Sequence, residues 1–554
     1  LENAPELAQH AQLYLRKNPM KYTDLINDAM PSVRTTNPQN EPLPGMIPNN
    51  AGGFVYAPDD WENLDRFLIL GSCSGSYYVG AHKLTKENAA IVNKLLDVNG
   101  PRVVSRIVEI VKENRAPKID PALFAMALAA SCKDPLTRKY ALEHIKLICF
   151  TGTHILSFVS MVTQLRGWGR GLKRGVGDWF LAMEPERLAY QAIKYSQREG
   201  WALRDLLRLS HPKITLPESS AAVLVDWIVH PDKPEAITKA RERFKLIDGK
   251  YKVNEIKSTE SIYSIIKEYK LPREAIPTEL LNDPNIWNAL LVDMPLTAMI
   301  RNLGKMTAID LIKPLSDAAM FVSEKLRNKE LLKYSKVHPM QILIALKTYA
   351  QGHGEKGKLK WNPVPMIVEA LNDAFYLSIE NEVSTDKRIL VGVDVSGSMQ
   401  TGQCAGSSIL SCVEAVMAMA MLFIRTEKAC HVVGFDTEIK NLGITKNQRL
   451  DDILKSVKTL GGGTDLAQPI IYALKNHLMV DTFVILTDNE TWAGQQHPVQ
   501  ALFEYRKRYN PQAKLVVLAT TANGGTIVEP GDKLSLGIAG FDAAIPGLIK
   551  QFIL

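Results

Sequence analysis

Cysteine is scarce. Six occur in 554 residues, at 73, 132, 149, 404, 412 and 430, and none lies in a CxxC or in a Cys/His cluster with zinc spacing. That excludes a disulfide scaffold and a zinc module. Isolated thiols suit a reducing compartment, so an intracellular, soluble protein is expected. Long hydrophobic runs are also missing. The longest, Ala122–Ala130 and Ala415–Ile424, fall short of the ~20 residues needed to cross a bilayer. The second is flanked by Glu414 and Arg425 and reads as a buried helix, and no membrane association is expected. The opening LENAPELAQHAQLYLRKNP has no basic stretch followed by an apolar one, so it does not read as a secretory signal. Walker A, HExxH and GxSxG motifs are absent, which removes the commonest phosphoryl-transfer, metalloprotease and hydrolase readings. Aromatic residues make up only 7% of the chain. With 46% hydrophobic residues the composition is that of an ordinary globular protein, not a disordered or collagen-like chain. The length calls for two large modules, or a solenoid plus a module.

The chain changes character near residue 387. Residues 1–53 are rich in Pro and Asn (NPQNEPLPGMIPNN) and read as a short leading helix followed by an extended linker. From Trp61 to Tyr376, segments such as NAAIVNKLLDV, RVVSRIVEIVKE, PALFAMALAA and PMQILIALKTYA carry apolar residues at three- and four-residue spacing, separated by short Pro, Gly or Asn breaks. Many helices of that length over one stretch predict an α-solenoid or a ring of helix pairs. After Lys387, RILVGVDVS, ACHVVGFD, DTFVILTD and AKLVVLAT are short β-branched runs alternating with helical patterns. That alternation predicts a doubly wound parallel sheet, whose ligands bind beyond the carboxyl ends of the strands.

Three loops at those ends carry hard oxygen donors. The first strand runs into Asp394-Val-Ser396-Gly-Ser398, a glycine-rich loop ends in Thr464-Asp465, and another strand runs into Thr487-Asp488-Asn489-Glu490. Mg²⁺ suits a set of few carboxylates and several hydroxyls with retained waters. With so little protein charge around it, the metal would stay electrophilic and take a carboxylate or phosphate from a partner. The plainer alternative is that Asp394 and Ser396 cap the following helix and that GGGT is a turn. An aspartyl-phosphate phosphatase is disfavoured, because it needs Asp-x-Asp where this chain has Ser396 at the second position.

The formal charge is +7, from 66 Lys/Arg and 59 Asp/Glu, and it is concentrated. Arg166–Lys213 holds ten basic and five acidic residues, and Lys333–Lys360 holds six lysines against Glu355 alone. In the first window Arg166, Arg170, Lys173 and Arg174 sit among glycines with Trp168, Trp179 and Phe180. Lys194 and Arg198 are four apart, so helical spacing predicts one shared face. Beyond Gly200, Arg204, Arg208 and His211 line one side of a helix whose other side is Leu203, Leu206 and Leu207. Cations beside aromatic rings are what single-stranded RNA needs, with phosphates neutralised and bases given a π-face. The alternatives are a solvated helix face, a helix-dipole contact for Lys194 and Arg198, and a helix-end role for His211.

In order, LDRFLILGS, LLRLSHPK, MPLTAMIRNLGKMT, HPMQILIAL, GHGEKGKLKW, VGVDVSGSM, GGGTD and TDNETWAG resemble the Ro ribonucleoprotein family. The resemblance runs from about residue 60 to the end. It implies a mixed fold: an all-α TROVE module of HEAT-like helical repeats closed into a ring at 54–380, then a Rossmann-like von Willebrand factor A domain at 387–554. Residues 1–53 have no clear counterpart. The resemblance also implies a metal-ion-dependent adhesion site in which Asp394, Ser396, Ser398, Thr464 and Asp488 hold Mg²⁺ or another divalent cation, with an acidic protein ligand as a further partner. It implies Y RNAs on the outer basic surface, matching Lys194, Arg198 and His211, and the single-stranded 3′ ends of misfolded small non-coding RNAs in a central hole, matching Arg170, Lys173 and Arg174. A non-catalytic monomer in RNA quality control is expected, cytoplasmic with a nuclear fraction. The rival is a metal-dependent protein-interaction scaffold that binds RNA incidentally.

Overall fold

The computed structural model describes residues 37–49, 51–70, 90–113, 119–195, 197–214, 216–256, 258–335, 337, 339–354, 358–379, 384–401, 409–457, 462–520, 525–539, 549–550 and 552–554. A short antiparallel pair, β1 (Met46–Pro48) and β2 (Phe54–Tyr56), precedes a long array of helices that begins with Asp60–Leu70 and ends with Pro365–Ile379. Successive helices pack on one another: the segment Ala90–Lys112, two helices meeting at a kink at Asn99, on Asp120–Ser131, Ser220–Val229 on Pro234–Arg243, and Pro339–Ala350 on Pro365–Ile379. Local sequence sets the breaks. Asp134 accepts bonds from the amides of Leu136 and Thr137 and starts Pro135–His144, where Pro135 occupies a position whose N–H would be unpaired anyway. The only strands inside the array among the described residues are β3 (Gln197–Arg198) and β4 (Trp201–Ala202).

The two apolar runs noted in the sequence are core helices. Pro121–Ala130 is buried on every side within Asp120–Ser131, and Ala415–Phe423 within Cys412–Thr426, which opens on a reciprocal Ser411/Glu414 cap. Among the described residues no helix is long and apolar enough to cross a membrane.

The second unit is a six-stranded sheet in the order β10–β9–β8–β5–β6–β7. Its strands are β5 (Arg388–Asp394), β6 (Ala429–Phe435), β7 (Ile439–Lys440), β8 (Thr482–Thr487), β9 (Lys514–Ala519) and β10 (Ser535–Ala539). All pairings are parallel except the edge pair β6–β7. Central β5 and β8 are buried almost end to end, as strands covered by helices on both faces must be. The chain leaves β5 in one direction to β6 and later returns on its other side as β8, so the strand order reverses between β5 and β8. That is where a crevice opens at the carboxyl ends.

Both ends of the helical array meet this sheet unit. Arg66 on the first helix donates to the Gly525 carbonyl (3.3 Å), and the same helix packs against β10. At the other end one apolar core runs continuously from Trp287, Met299 and Phe375 to Val391, Met419 and Leu518. The array therefore closes through the α/β unit. The stretch 1–53, read from sequence as extension and linker, is described from residue 37. From there it is fastened to the α/β unit: the Gln39 amide donates to the Gly494 carbonyl (2.8 Å) and Asn49 Nδ2 to the Thr491 carbonyl (2.6 Å). The leading helix expected before it lies outside the described residues.

Candidate metal centre and basic surface

Asp394 is the last residue of β5 and Thr487 the last of β8, so the pairing of those strands brings their ends together. Thr487 Oγ1 donates to Asp394 Oδ2 (2.6 Å), and the Ser396 amide donates to Asp394 Oδ1 (2.9 Å). Ser396 and Ser398 hydroxyls are 3.2 Å apart. Asp394 and Ser396 are fully buried, Thr464 and Asp488 nearly so, and Ser398 is exposed. The Gly397 amide reaches the Gly462 carbonyl (3.4 Å), which sets the first loop against the glycine-rich loop that carries Thr464. Gly461, the first residue of that motif, lies outside the described residues.

Burial pushes the Asp394 carboxyl well above the usual range, and the neighbouring Asp488 pushes it further. The bonds from Ser396 and Thr487 oppose that shift only in part. These donors are neutral. Two acidic groups held close together in a buried pocket with hydroxyls around them form a site that a divalent cation suits, because the cation removes the mutual repulsion and accepts hydroxyl and carboxylate oxygens alike. Asp394, Ser396, Ser398, Thr464 and Asp488 therefore fit a hard cation, with Ser398 on the open side. Among the described residues no three His, Cys, Asp or Glu gather into a metal-holding group, so the site depends on its hydroxyls. Sequence reasoning missed Thr487, whose hydroxyl fixes Asp394. Its position directly before Asp488 was the available signal.

The short helix Gly397–Thr401 follows Asp394 and Ser396 directly, and just before it the Ser396 amide donates to Asp394 Oδ1.

The basic window Arg166–Lys213 spans the helices Arg170–Leu181, Pro185–Lys194 and Leu203–Ser210 and the strands β3 and β4. Arg170, Lys173 and Arg174 project from one exposed face of the helix Arg170–Leu181, while Leu172, Val176, Trp179 and Phe180 are buried on the other. The expectation that Trp179 and Phe180 stand among the cations as stacking platforms is corrected here. Helical periodicity turns both into the core, where Trp179 Nε1 donates to the Cys149 carbonyl (2.6 Å). Trp168 does stay partly exposed and stacks on Trp201, with centroids 6.0 Å apart and planes at 20°. Beside it is a cavity of 380 Å³ whose lining includes Arg138, Lys139, Arg166, Arg170 and Arg174 together with Glu143 and Asp178.

The shared helix face predicted for Lys194 and Arg198 is also corrected. The helix Pro185–Lys194 stops at Lys194, and Arg198 lies in β3. The reason is the turn Glu199-Gly200, both with positive φ (51° and 79°), which draws Gln197–Ala202 into a two-residue hairpin. Lys194 Nζ donates to the Tyr190 hydroxyl (3.0 Å) and lies over the Tyr190 and Tyr195 rings. Partial burial works against its charge, but Tyr190, Tyr195 and Glu274 outweigh it and hold the ammonium above its ordinary value. Arg198 is exposed, with Nε 3.3 Å from Glu199 Oε1. The helix Leu203–Ser210 follows the predicted pattern. Leu203, Leu206 and Leu207 are buried, Arg204 and Arg208 exposed, and Arg208 reaches the Val229 carbonyl (3.2 Å). His211 caps this helix in the left-handed region (φ 45°) with its ring exposed.

The second basic window is committed to packing in part. Lys347 pairs with Glu414 of the α/β unit. Trp361 stacks on Tyr349 and donates to its carbonyl (2.9 Å). Lys336, Glu355 and Lys356 lie outside the described residues.

Comparison with known proteins agrees with this arrangement. Residues 47–348 match the TROVE domain model, and residues 388–553 match the Ro60 vWA domain model. The chain is 36% identical over 528 residues to the RNA-binding protein RO60 of Deinococcus radiodurans, covering 94% of this chain and 98% of that one. It is 33% identical over 583 residues to the Caenorhabditis elegans protein of the same name, covering 92% and 90%. The crystal structure of the Deinococcus radiodurans RO (RSR) protein superposes with a TM-score of 0.71 at 35% identity, over 89% of this chain and 99% of that one.

Proposed function

This chain belongs to the Ro family, a TROVE domain followed by a Ro-type von Willebrand A domain, and on that footing we propose that it is a non-catalytic RNA-binding protein. It holds Y RNAs on the outer basic surface and the single-stranded 3′ ends of misfolded non-coding RNAs on the inner side of the closed array. It acts in RNA quality control, in the cytoplasm with a nuclear fraction. The observation that carries this reading is the set of exposed cations within the 166–213 window. Arg170, Lys173, Arg174 and Arg204 face water, and among the described residues none of them has a carboxylate partner. Side chains left in that state are available to phosphates. Phosphate contacts supply affinity that is strongly salt-dependent and carries little sequence information. The partly exposed Trp168 beside them offers a π-face to an unstacked base.

The named homologues from Deinococcus radiodurans and Caenorhabditis elegans are RNA-binding proteins, which supports the same class here. Ser396 stands where an aspartyl-phosphate enzyme needs its second carboxylate, which supports a binding role for the sheet unit. In that role Asp394, Ser396, Ser398, Thr464 and Asp488 hold Mg²⁺ or a similar cation. Bound there, the cation would supply an electrophilic position for a carboxylate or phosphate oxygen of a partner. Crosslinking the full-length protein to cellular RNA and mapping both sides tests the reading. Crosslinked peptides should fall within 166–211, joined to small structured RNAs. Crosslinks confined to other surfaces, or to none, contradict it.

A further inference from the structure

Gln39 belongs neither to the metal ligands nor to the basic surface. It precedes both matched domain spans, 47–348 and 388–553, in a stretch whose composition is that of a linker. Yet its side chain is fully buried. Its Nε2 donates to Asp465 Oδ1 (2.6 Å) and to the Gln496 carbonyl (2.8 Å), and its Oε1 accepts from the Thr491 hydroxyl. Its backbone is held as well, donating to the Gly494 carbonyl (2.8 Å) and accepting from the Phe54 amide (3.1 Å).

Those partners sit on two loops of the metal centre. Asp465 follows Thr464 directly, and Thr491 comes three residues after Asp488. The loops also touch one another, through the Trp492 amide on the Thr464 carbonyl (3.0 Å) and the Leu466 amide on Thr491 Oγ1 (3.1 Å). The Gln39 amide is the additional cross-link that bridges both from outside. Gly494 makes room for it, and Gly53 lets the same segment approach the Thr491 backbone. A Cβ on Gly494 would lie 2.3 Å from Gln39 Nε2 and 2.4 Å from Asp465 Oδ1, and one on Gly53 would lie 2.0 Å from the Thr491 carbonyl. Leucine in place of Gln39 would leave the buried Asp465 carboxylate without one of its donors and the Thr491 hydroxyl with only the more distant Thr464 carbonyl (3.4 Å) as acceptor, which is costly in such a site.

We propose that Gln39 is a positioning residue for the metal centre, tying the Thr464 loop to the Asp488 loop and so fixing the separation of two of the cation's ligands. The proposal rests on the metal reading of that centre. It has a reciprocal consequence. If docking of residues 37–56 raises cation affinity, cation binding must stabilise that docking by the same factor.

The test is calorimetric titration of Mg²⁺ into metal-free, full-length protein, with hydrogen exchange of residues 37–56 followed with and without Mg²⁺. Wild type is expected to bind, and the 37–56 amides to exchange more slowly when it does. Gln39→Leu is expected to weaken binding roughly 10-fold or more, the scale on which loss of an outer partner acts at metal sites. Wild type that binds no Mg²⁺ removes the metal reading and this proposal together. Wild type that binds while Gln39→Leu binds equally well overturns this proposal alone, even if the variant melts earlier. Should Gln39→Leu fail to fold, Gln39→Asn decides by the same measurement, since it keeps the amide but is one methylene too short for the bridge.

Discussion

Lys347 Nζ lies 2.5 Å from Glu414 Oε1, joining the helix Pro339–Ala350 of the array to the first turn of Cys412–Thr426 in the α/β unit. Glu414 is also the capping partner of Ser411, so one carboxylate starts a core helix and holds the two units together. Burial acts to raise the Glu414 carboxyl, but Lys347 and the Ser411 cap outweigh it and hold the group below its ordinary value. The side chains are 35% and 20% exposed, between a surface pair and a buried one. Lys347→Ala is expected to cost about 1–2 kcal/mol, read from the urea midpoint. A depressed carboxylate contributes stability above its unfolded value and loses it as pH falls through the folded one. The gap between wild type and variant should therefore narrow in acid. A midpoint unchanged at neutral pH would refute the role given to this pair.

Glu529 gives the opposite sign. Burial raises its carboxyl to about 7, Asp532 adds to the shift and Arg506 opposes it. A carboxyl raised by folding favours the protonated native state, so its contribution is full below the ordinary glutamate value and lost as pH rises to about 7. Glu529→Gln removes that dependence. The melting temperature of the variant minus that of wild type should climb between about pH 4.5 and pH 7 and then level off. A difference that is flat across that window would show that Glu529 is not held in this way.

At the metal centre, Mg²⁺ should raise the melting temperature of the wild-type protein, and a chelator should reverse the effect. A ligand that binds only the folded state at 100 times its Kd adds about 2.7 kcal/mol. Asp394→Asn should abolish the Mg²⁺-dependent rise without lowering the metal-free melting temperature, because it removes one of two mutually repelling buried acidic groups. A wild-type melting curve insensitive to chelator counts against the site.

Much of this architecture was legible in the sequence because it is periodic. Apolar spacing gave the helices, β-branched runs gave β5, β6, β8 and β9, and the loops after β5 and β8 gave Asp394 and Asp488, whereas Thr464 lies on the glycine-rich loop ahead of the helix Gln468–Lys475. What escaped was non-local. Trp179 and Phe180 look like surface aromatics when counted in a basic window, and only the helical phase sends them inward. Lys194 and Arg198 have helical spacing, but the Glu199-Gly200 turn is a stronger local instruction than the spacing. Gln39 is a lone polar residue in a Pro/Asn-rich stretch, and its partners lie more than 420 residues away. No local pattern could announce it.

Lys194, half-buried, and Arg198, exposed, are the cations proposed for the outer surface, and they belong to different elements. Lys194→Ala with Arg198→Ala should weaken binding of a Y-like RNA and make its salt dependence shallower by roughly 0.7–0.9 for each phosphate no longer neutralised. Equal weakening for a plain single strand would assign these residues to general rather than outer-surface binding.

The most direct measurement is the affinity of full-length protein for a short single-stranded RNA across a salt series, comparing wild type with the Arg170→Ala, Lys173→Ala, Arg174→Ala triple variant. The account predicts weaker binding and a log–log slope shallower by roughly 2–3 units, with the helix still folded because all three side chains face water. The same affinity and the same slope in the triple variant would contradict it.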